Sequence, residues 1–321
     1  MTSGQLKTLI AVVDAGSIKG AAQKLVVTQA AVSSAIAGLQ DDLGVRLFDR
    51  DGRGIRVNPA GLRLYGYAQT ILGLIEEAKE ATLAEAEPDR AILRLAAVTT
   101  AGEVLVPIWL RDYLVEHPTL RVNLEVGNRE RVFELLTSHR VDLVVGGRPP
   151  NRGGMVSLAR RPHELVLICD AQHLNQVDQI TREVDSDPGA VRDWLDSVTW
   201  LIREHGSGTR ETAEELMAAL GITPKQLTIG SNGAIVDATE VGLGIALVSK
   251  DAVRRQIREG SLGYIEVAPL PLVRDWHLIA RDTEELPPPM QLFLDYLVES
   301  GQVSITPQLP RSVEQTHALD Y

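Results

Sequence analysis

The sequence predicts an α+β chain: a small helical head with a hairpin, one long helix, and a larger α/β body of two lobes. Three observations predict it. Apolar residues between positions 3 and 43 recur at helical spacing, each run opened by a capping residue or closed by a glycine. After Pro59 no proline occurs until Pro88, and apolar residues alternate four and three apart. Beyond Arg90, apolar runs of strand length alternate with helix-like segments.

With 321 residues there is room for two or three domains with substantial cores. The longest apolar runs fall far short of a bilayer span and the N-terminus lacks a basic-then-apolar plan, so no membrane partner and a cytoplasmic location are expected. The single Cys169 excludes an intramolecular disulfide or a cysteine-clustered metal site, and within ELVLICD it reads as core. The formal charge of -11 argues against a protein that coats nucleic acid over its whole surface. Residues 1 to 63, however, carry eight cations against five anions, which makes a basic head on an acidic body. That predicts local, salt-sensitive contact with a polyanion.

In the head, a first helix from about Ser3 to Ala15 puts Leu6, Leu9, Ile10 and Val13 on one face, and Gly16 ends it. Ser17 can cap a helix running to about Leu25 and Thr28 one running to about Leu43, where Gly44 supplies the stop. In that third helix Val32, Ile36, Leu39 and Leu43 form a stripe expected to be buried, while Gln29, Ser33, Ala37 and Gln40 line the other side. Solvated helix faces usually carry Lys and Glu; a small, polar, uncharged face suits close approach to another surface. A major groove is one such surface, read by hydroxyls and amides while cations hold the phosphates. A plain helical hairpin inside a larger domain fits the same residues. Next, LFDR and IRV flank Asp51-Gly52-Arg53-Gly54, a hairpin turn that makes a wing bearing Arg50, Arg53 and Arg56.

The stretch from Leu6 through AVVDAGSIKGAAQKL, TQAAVSSAI, LGVRLFDR and NPAG resembles the winged helix-turn-helix of LysR-type transcriptional regulators. Ala30 stands where that family usually has proline, Gln40 where it usually has glutamate, and Asn58-Pro59 where a threonine commonly precedes Ala-Gly. Asn58 can still cap, and Pro59 suits a first helical position. The resemblance implies that Ser17, Thr28, Gln29, Ala30, Ser33, Ser34 and the wing arginines contact double-stranded DNA. It also implies that the helix after Pro59 pairs two subunits of a homodimer or homotetramer. Its spacing agrees: Leu64, Ala68, Ile71, Ile75, Ala78 and Thr82 form a coiled-coil seam, unless the helix packs on its own chain. Glu87-Pro88-Asp89 closes it as a hinge.

The expected domains are residues 1–58 (winged helix-turn-helix), 59–88 (linker helix), 89–301 (two-lobed body) and 302–321 (flexible tail). Lobe I takes about 89–166 and 269–301, lobe II about 167–268, with crossover strands near 165–168 and 266–272 and a cleft between. By resemblance the body is similar to periplasmic solute-binding proteins. Three strand-to-helix corners could offer hydroxyls and free N–H groups to a ligand: Thr99-Thr100, Ser207-Gly208-Thr209 and Ser231-Asn232. Arg148 and Arg203 could add charge. In the family the threonine corner commonly contacts the inducer, so an anionic effector, carboxylated or phosphorylated, is expected in the cleft. GNRERV, VDLVVGGRPP and REHGSGTR further resemble regulators of carbon-fixation operons.

No catalytic, metal or cofactor site is expected. His205-Gly206-Ser207-Gly208 fails G-x-S-x-G, Gly242-Leu243-Gly244 lacks its third glycine, and the seven histidines show no ligand spacing. Two readings remain: a ligand-responsive transcription factor, and a solute-binding or enzyme-like α/β protein with an attached helical hairpin.

Overall fold

The computed structural model describes residues 1–52, 54–86, 91–150, 154–183, 188–283 and 286–307. The hinge at 87–89 and Arg53 of the wing lie outside the described residues. The head holds α1 (Ser3–Ala15), α2 (Ile18–Leu25) and α3 (Gln29–Leu43), then the wing β1 (Phe48–Asp51) and β2 (Gly54–Val57). Local chemistry fixes each start and stop. Thr2, Ser17 and Thr28 side chains accept from Gln5, Gly20 and Ala31 N–H groups, and Gly16 and Gly44 end α1 and α3 in the left-handed region. Val26 ends α2 in the same region (φ 56), where glycine is the usual residue. Leu6, Leu9, Val12, Ala21, Val32, Ile36 and Leu39 form the core. Leu43 departs from the expected stripe: at the last turn of α3 it is 41% exposed.

The long helix α4 (Pro59–Ala86) begins where Asn58 caps it, accepting from Gly61 N–H and donating to the Arg46 carbonyl. Gly61 is required there, since a Cβ would stand 2.2 Å from the Leu47 carbonyl oxygen. The seam divides. Leu64, Ala68 and Ile71 pack against the head's own core, whereas Ile75, Ala78 and Thr82 are exposed, as are Tyr67, Leu74 and Leu83. In its later half α4 therefore offers Leu74, Ile75 and Leu83 to a partner helix.

In the body, β3 (Ile92–Val98), α5 (Thr99–Val104), α6 (Val106–Glu116), β4 (Arg121–Gly127), α7 (Arg129–Thr137) and β5 (Leu143–Gly146) build lobe I. The helix expected after Thr99 is two, broken at Leu105, with Pro107 in the first turn of the second. β6 (Met155–Asp170) then crosses to lobe II, made of α8 (Ala171–Glu183), α9 (Pro188–Ser197), β7 (Trp200–Ile202), α10 (Gly208–Leu220), β8 (Gln226–Thr228), α11 (Asn232–Glu240), β9 (Ala246–Ser249), α12 (Arg254–Glu259) and β10 (Leu262–Tyr264). β11 (Leu272–Arg281) returns to lobe I, followed by α13 (Pro288–Glu299) and β12 (Ser304–Ile305). β3 pairs parallel with β4 and β5, and β11 runs antiparallel between β5 and β6. At its far end β6 pairs with β9 and β10. The lobes are thus joined by two adjacent antiparallel strands, each carrying its own core on either side.

The expected flexible tail needs correction over its first residues. Val303 is buried, β12 pairs with β6, Arg161 donates to the Gln302 carbonyl (2.9 Å), and Trp109 donates to the Gln302 side chain (3.2 Å). Residues 308–321 lie outside the described residues.

Candidate functional site

On the head, Gln29, Ala30, Ser33, Ser34 and Ala37 are all exposed along one side of α3, as a groove-reading face requires. Gln40 is not part of it. Half-buried, its side-chain oxygen accepts from Leu47 N–H (2.8 Å) and fixes the connection from α3 into the wing. Ser17 and Thr28 sit at the N-terminal ends of α2 and α3, each with a hydroxyl oxygen engaged in capping at 3.1 Å. Arg50 and Arg56 are exposed on adjacent wing strands and, among the described residues, form no ion pair. Uncommitted cations beside a small polar face suit a phosphate backbone flanking a groove.

The second site is a cavity of about 480 Å³ between the lobes. Thr99, Thr100, Arg148, Arg203, Ser207, Gly208 and Thr209 all line it. Ser231 does not: exposed, it caps α11 by accepting from Ala234 N–H. Asn232 is buried, donating to the Thr100 hydroxyl (2.7 Å) and accepting from Arg203. Arg203 is committed as well. Buried, it forks onto Glu204 (2.7 and 2.9 Å) and donates to the Thr99 hydroxyl (3.2 Å). The first and third corners therefore join lobe to lobe instead of both facing open space.

What remains unspent lies elsewhere in the wall. Arg129 and Arg148 line the cavity and, among the described residues, make no hydrogen bond or ion pair; Arg129 lies over the Phe133 ring at 4.9 Å. They face the start of α10, whose cap residue Ser207 makes no side-chain capping bond and is 4% exposed. Free first-turn N–H groups and two guanidiniums there offer donors and positive charge that suit an anion, with Glu211, Glu215 and Asp275 as opposing charges in the wall. His277 and the stacked pair His163–Trp276 (ring centroids 3.9 Å apart) complete the wall on the β6 and β11 side. Burial pushes His277 below its ordinary pKa; Arg148, Arg160 and Arg129 add to this and Asp275 opposes it. Burial likewise takes His163 down to about 4.

Sequence reasoning missed Arg129, His163, Trp276 and His277. Arg129 left a signal, because a cation directly after the Asn128 cap opposes the helix dipole unless an anion is meant to sit there.

A helix-turn-helix head with an exposed polar face and a wing, carried on a body with a charged inter-lobe cavity, is the architecture of a ligand-responsive DNA-binding regulator. The comparisons then fix the family. Residues 3–62 match the bacterial regulatory helix-turn-helix protein, lysR family, and residues 86–302 match the LysR substrate binding domain. The chain belongs to the LysR family of transcriptional regulators. It is 30% identical to the RuBisCO operon transcriptional regulator of Acidithiobacillus ferrooxidans over 97% of this chain and 98% of that protein. Full-length CbnR, a LysR family regulator, shares the fold at a TM-score of 0.66 and 22% identity, covering 94% of this chain and 99% of that one. The regulatory domain of CcmR from Synechocystis, solved in complex with 2-PG, aligns at a TM-score of 0.55 and 26% identity over 65% of this chain and 96% of that domain. The relatives are named as regulators, which disfavours the solute-binding or enzyme-like reading. Among the described residues no helix is long and apolar enough to cross a membrane.

Proposed function

We propose that this regulator reads operator DNA through Gln29, Ala30, Ser33 and Ser34, with Ser17, Thr28 and the wing arginines on the backbone, under control of a small anionic metabolite in the cleft. Two copies pair along the later half of α4, placing two heads on successive major grooves, as a homodimer or within a homotetramer in the cytoplasm. The domains that follow are the head at 1–58, the linker helix at 59–88 and the body at 89–301. Likeness to the RuBisCO operon regulator supports targets among carbon-fixation operons, and the 2-PG held by CcmR supports a phosphorylated acid as effector.

One observation carries this reading: Arg129 and Arg148, without a hydrogen bond or ion pair among the described residues, stand beside a helix start that has no side-chain cap, in a cavity of metabolite size. An anion there gains charge-assisted hydrogen bonds worth about 1.5 to 3 kcal/mol each. Titration calorimetry with 2-phosphoglycolate and related carboxylates and phosphates tests it. Arg129→Ala is expected to weaken the best binder roughly tenfold to a hundredfold. Unchanged affinity in that variant removes the anion site from this part of the cleft.

A further inference from the structure

One helix of the body touches both the cleft and the head. α7 begins at Asn128 and Arg129 in the cavity wall, and lobe II meets it there: Asn128 Nδ2 donates to the His205 carbonyl (3.4 Å) and Glu130 N–H to the Gly206 carbonyl (3.3 Å). Its other end carries α4. Gln69 Nε2 donates to Glu134 (3.1 Å); Gly73 lies so close to Ser138 that a Cβ would stand 1.9 Å from the carbonyl oxygen; and Glu77 pairs with His139 Nδ1 (2.7 Å) and accepts from Arg281 (2.9 Å). Gln69, Gly73 and Glu77 are four apart, so one face of α4 makes all these contacts.

The contacts do not stop at α4. The Gln69 amide also donates to Tyr65 Oη (3.0 Å), Tyr65 donates to Asp14 (2.7 Å), and Lys24 in the last turn of α2 donates to the second Asp14 oxygen (2.9 Å). Donors and acceptors alternate correctly along this run, from a head helix to α7. Where α7 ends, His139 holds a left-handed conformation (φ 59) that glycine usually supplies, and its ring is spent on Glu77. Buried Val132, Phe133, Leu135 and Leu136 fasten α7 to the sheet, so a tilt imposed at one end of so short a helix is felt at the other.

We propose that α7 is the coupling element of this regulator: Gln69, Glu77, Glu134 and His139 are positioning residues that make the seating of the head-bearing helix follow the state of the cleft. The inference rests on the cleft being the effector site, and the experiment below uses no effector, so it stands or falls separately from that reading. Spatial continuity alone is not coupling, so the test measures transmission.

Backbone hydrogen exchange is followed in the full-length protein and its variants. Asn128→Ala removes the cap and lobe II bond at the cleft end, and exchange over 129–139 is expected to rise roughly threefold to tenfold, with a matching rise over 68–78 of α4. Asn128→Asp, which keeps a capping oxygen but cannot donate to the His205 carbonyl, is expected to shrink both rises without abolishing them. In a Gln69→Ala/Glu77→Ala background the α7 response persists and its transmission to α4 is lost. The proposal is overturned if α4 ignores Asn128→Ala, if α7 itself does not respond, or if the α4 increment is the same in both backgrounds. An equal rise in α13, which lies elsewhere in lobe I, signals general loosening and also counts against it.

Discussion

The reading face of α3 and the wall of the cleft use the same kinds of side chain, amides and hydroxyls with arginine nearby, in opposite ways. On α3 the side chains of Gln29, Ser33 and Ser34 are exposed and, among the described residues, bond nothing. In the cleft Thr99, Thr100, Asn232 and Arg203 are buried or half-buried and largely spend their capacity on one another. The first arrangement keeps recognition separate from stability; the second ties the two together. Substitutions should therefore lose function alone on the head and both together in the cleft.

Arg203→Met sharpens the contrast most. It strands the Thr99 and Asn232 groups and leaves the half-exposed Glu204 without its partner, so chemical denaturation should show about 3 kcal/mol of lost stability with head–DNA contacts unaltered. A loss below about 0.5 kcal/mol would break the distinction. Next is acidity. His163 titrates near 4 in the folded chain, below the ordinary 6.5, chiefly through burial, with Arg274 adding and Asp251 and Asp275 opposing. As pH falls from about 6.5 towards 4 the unfolded chain takes up a proton that the folded chain refuses, so stability drops by up to about 3 kcal/mol and flattens below. His163→Phe keeps a ring against Trp276 and should remove that part of the slope in urea melts between pH 7 and 4; an unchanged slope would place the dependence elsewhere.

On the head side, Gln29→Ala should cut discrimination between operator and scrambled duplex by about 1 to 3 kcal/mol while the melting temperature holds. A fall in melting temperature would show that the face is structural after all. Smallest is Val26→Gly at the end of α2. Val26 is 90% exposed and left-handed, so relief of backbone strain outweighs lost packing and about 0.5 to 1 kcal/mol of added stability is expected by thermal denaturation.

The same contrast decides what could be read beforehand. The head's helices follow from neighbours in sequence: Ser17 and Thr28 as caps, Gly16 and Gly44 as stops, and the stripe of Val32, Ile36 and Leu39. Leu43 broke the pattern because a periodic stripe says nothing about where the partner surface ends. The corners at Thr99 and Ser207 were legible as helix starts, yet which of them faced space depended on Arg203 reaching Thr99 and Asn232, a long-range fact. His163 meeting Trp276 needs the register of β6 against β11, and the ion pairs that bind α4 to the body, Glu77 with Arg281 and with Arg94, need the whole fold.

The short strand β12 has a practical consequence. It lies along β6 beside the crossing between lobes, and Thr306 hydrogen-bonds Ser157, which in turn holds His277 in the cavity wall. Residues 302–306 act as a splint on the joint. A label, affinity tag or fusion placed just after them would load the hinge itself, so reporters of effector response belong at the other terminus or farther down the chain.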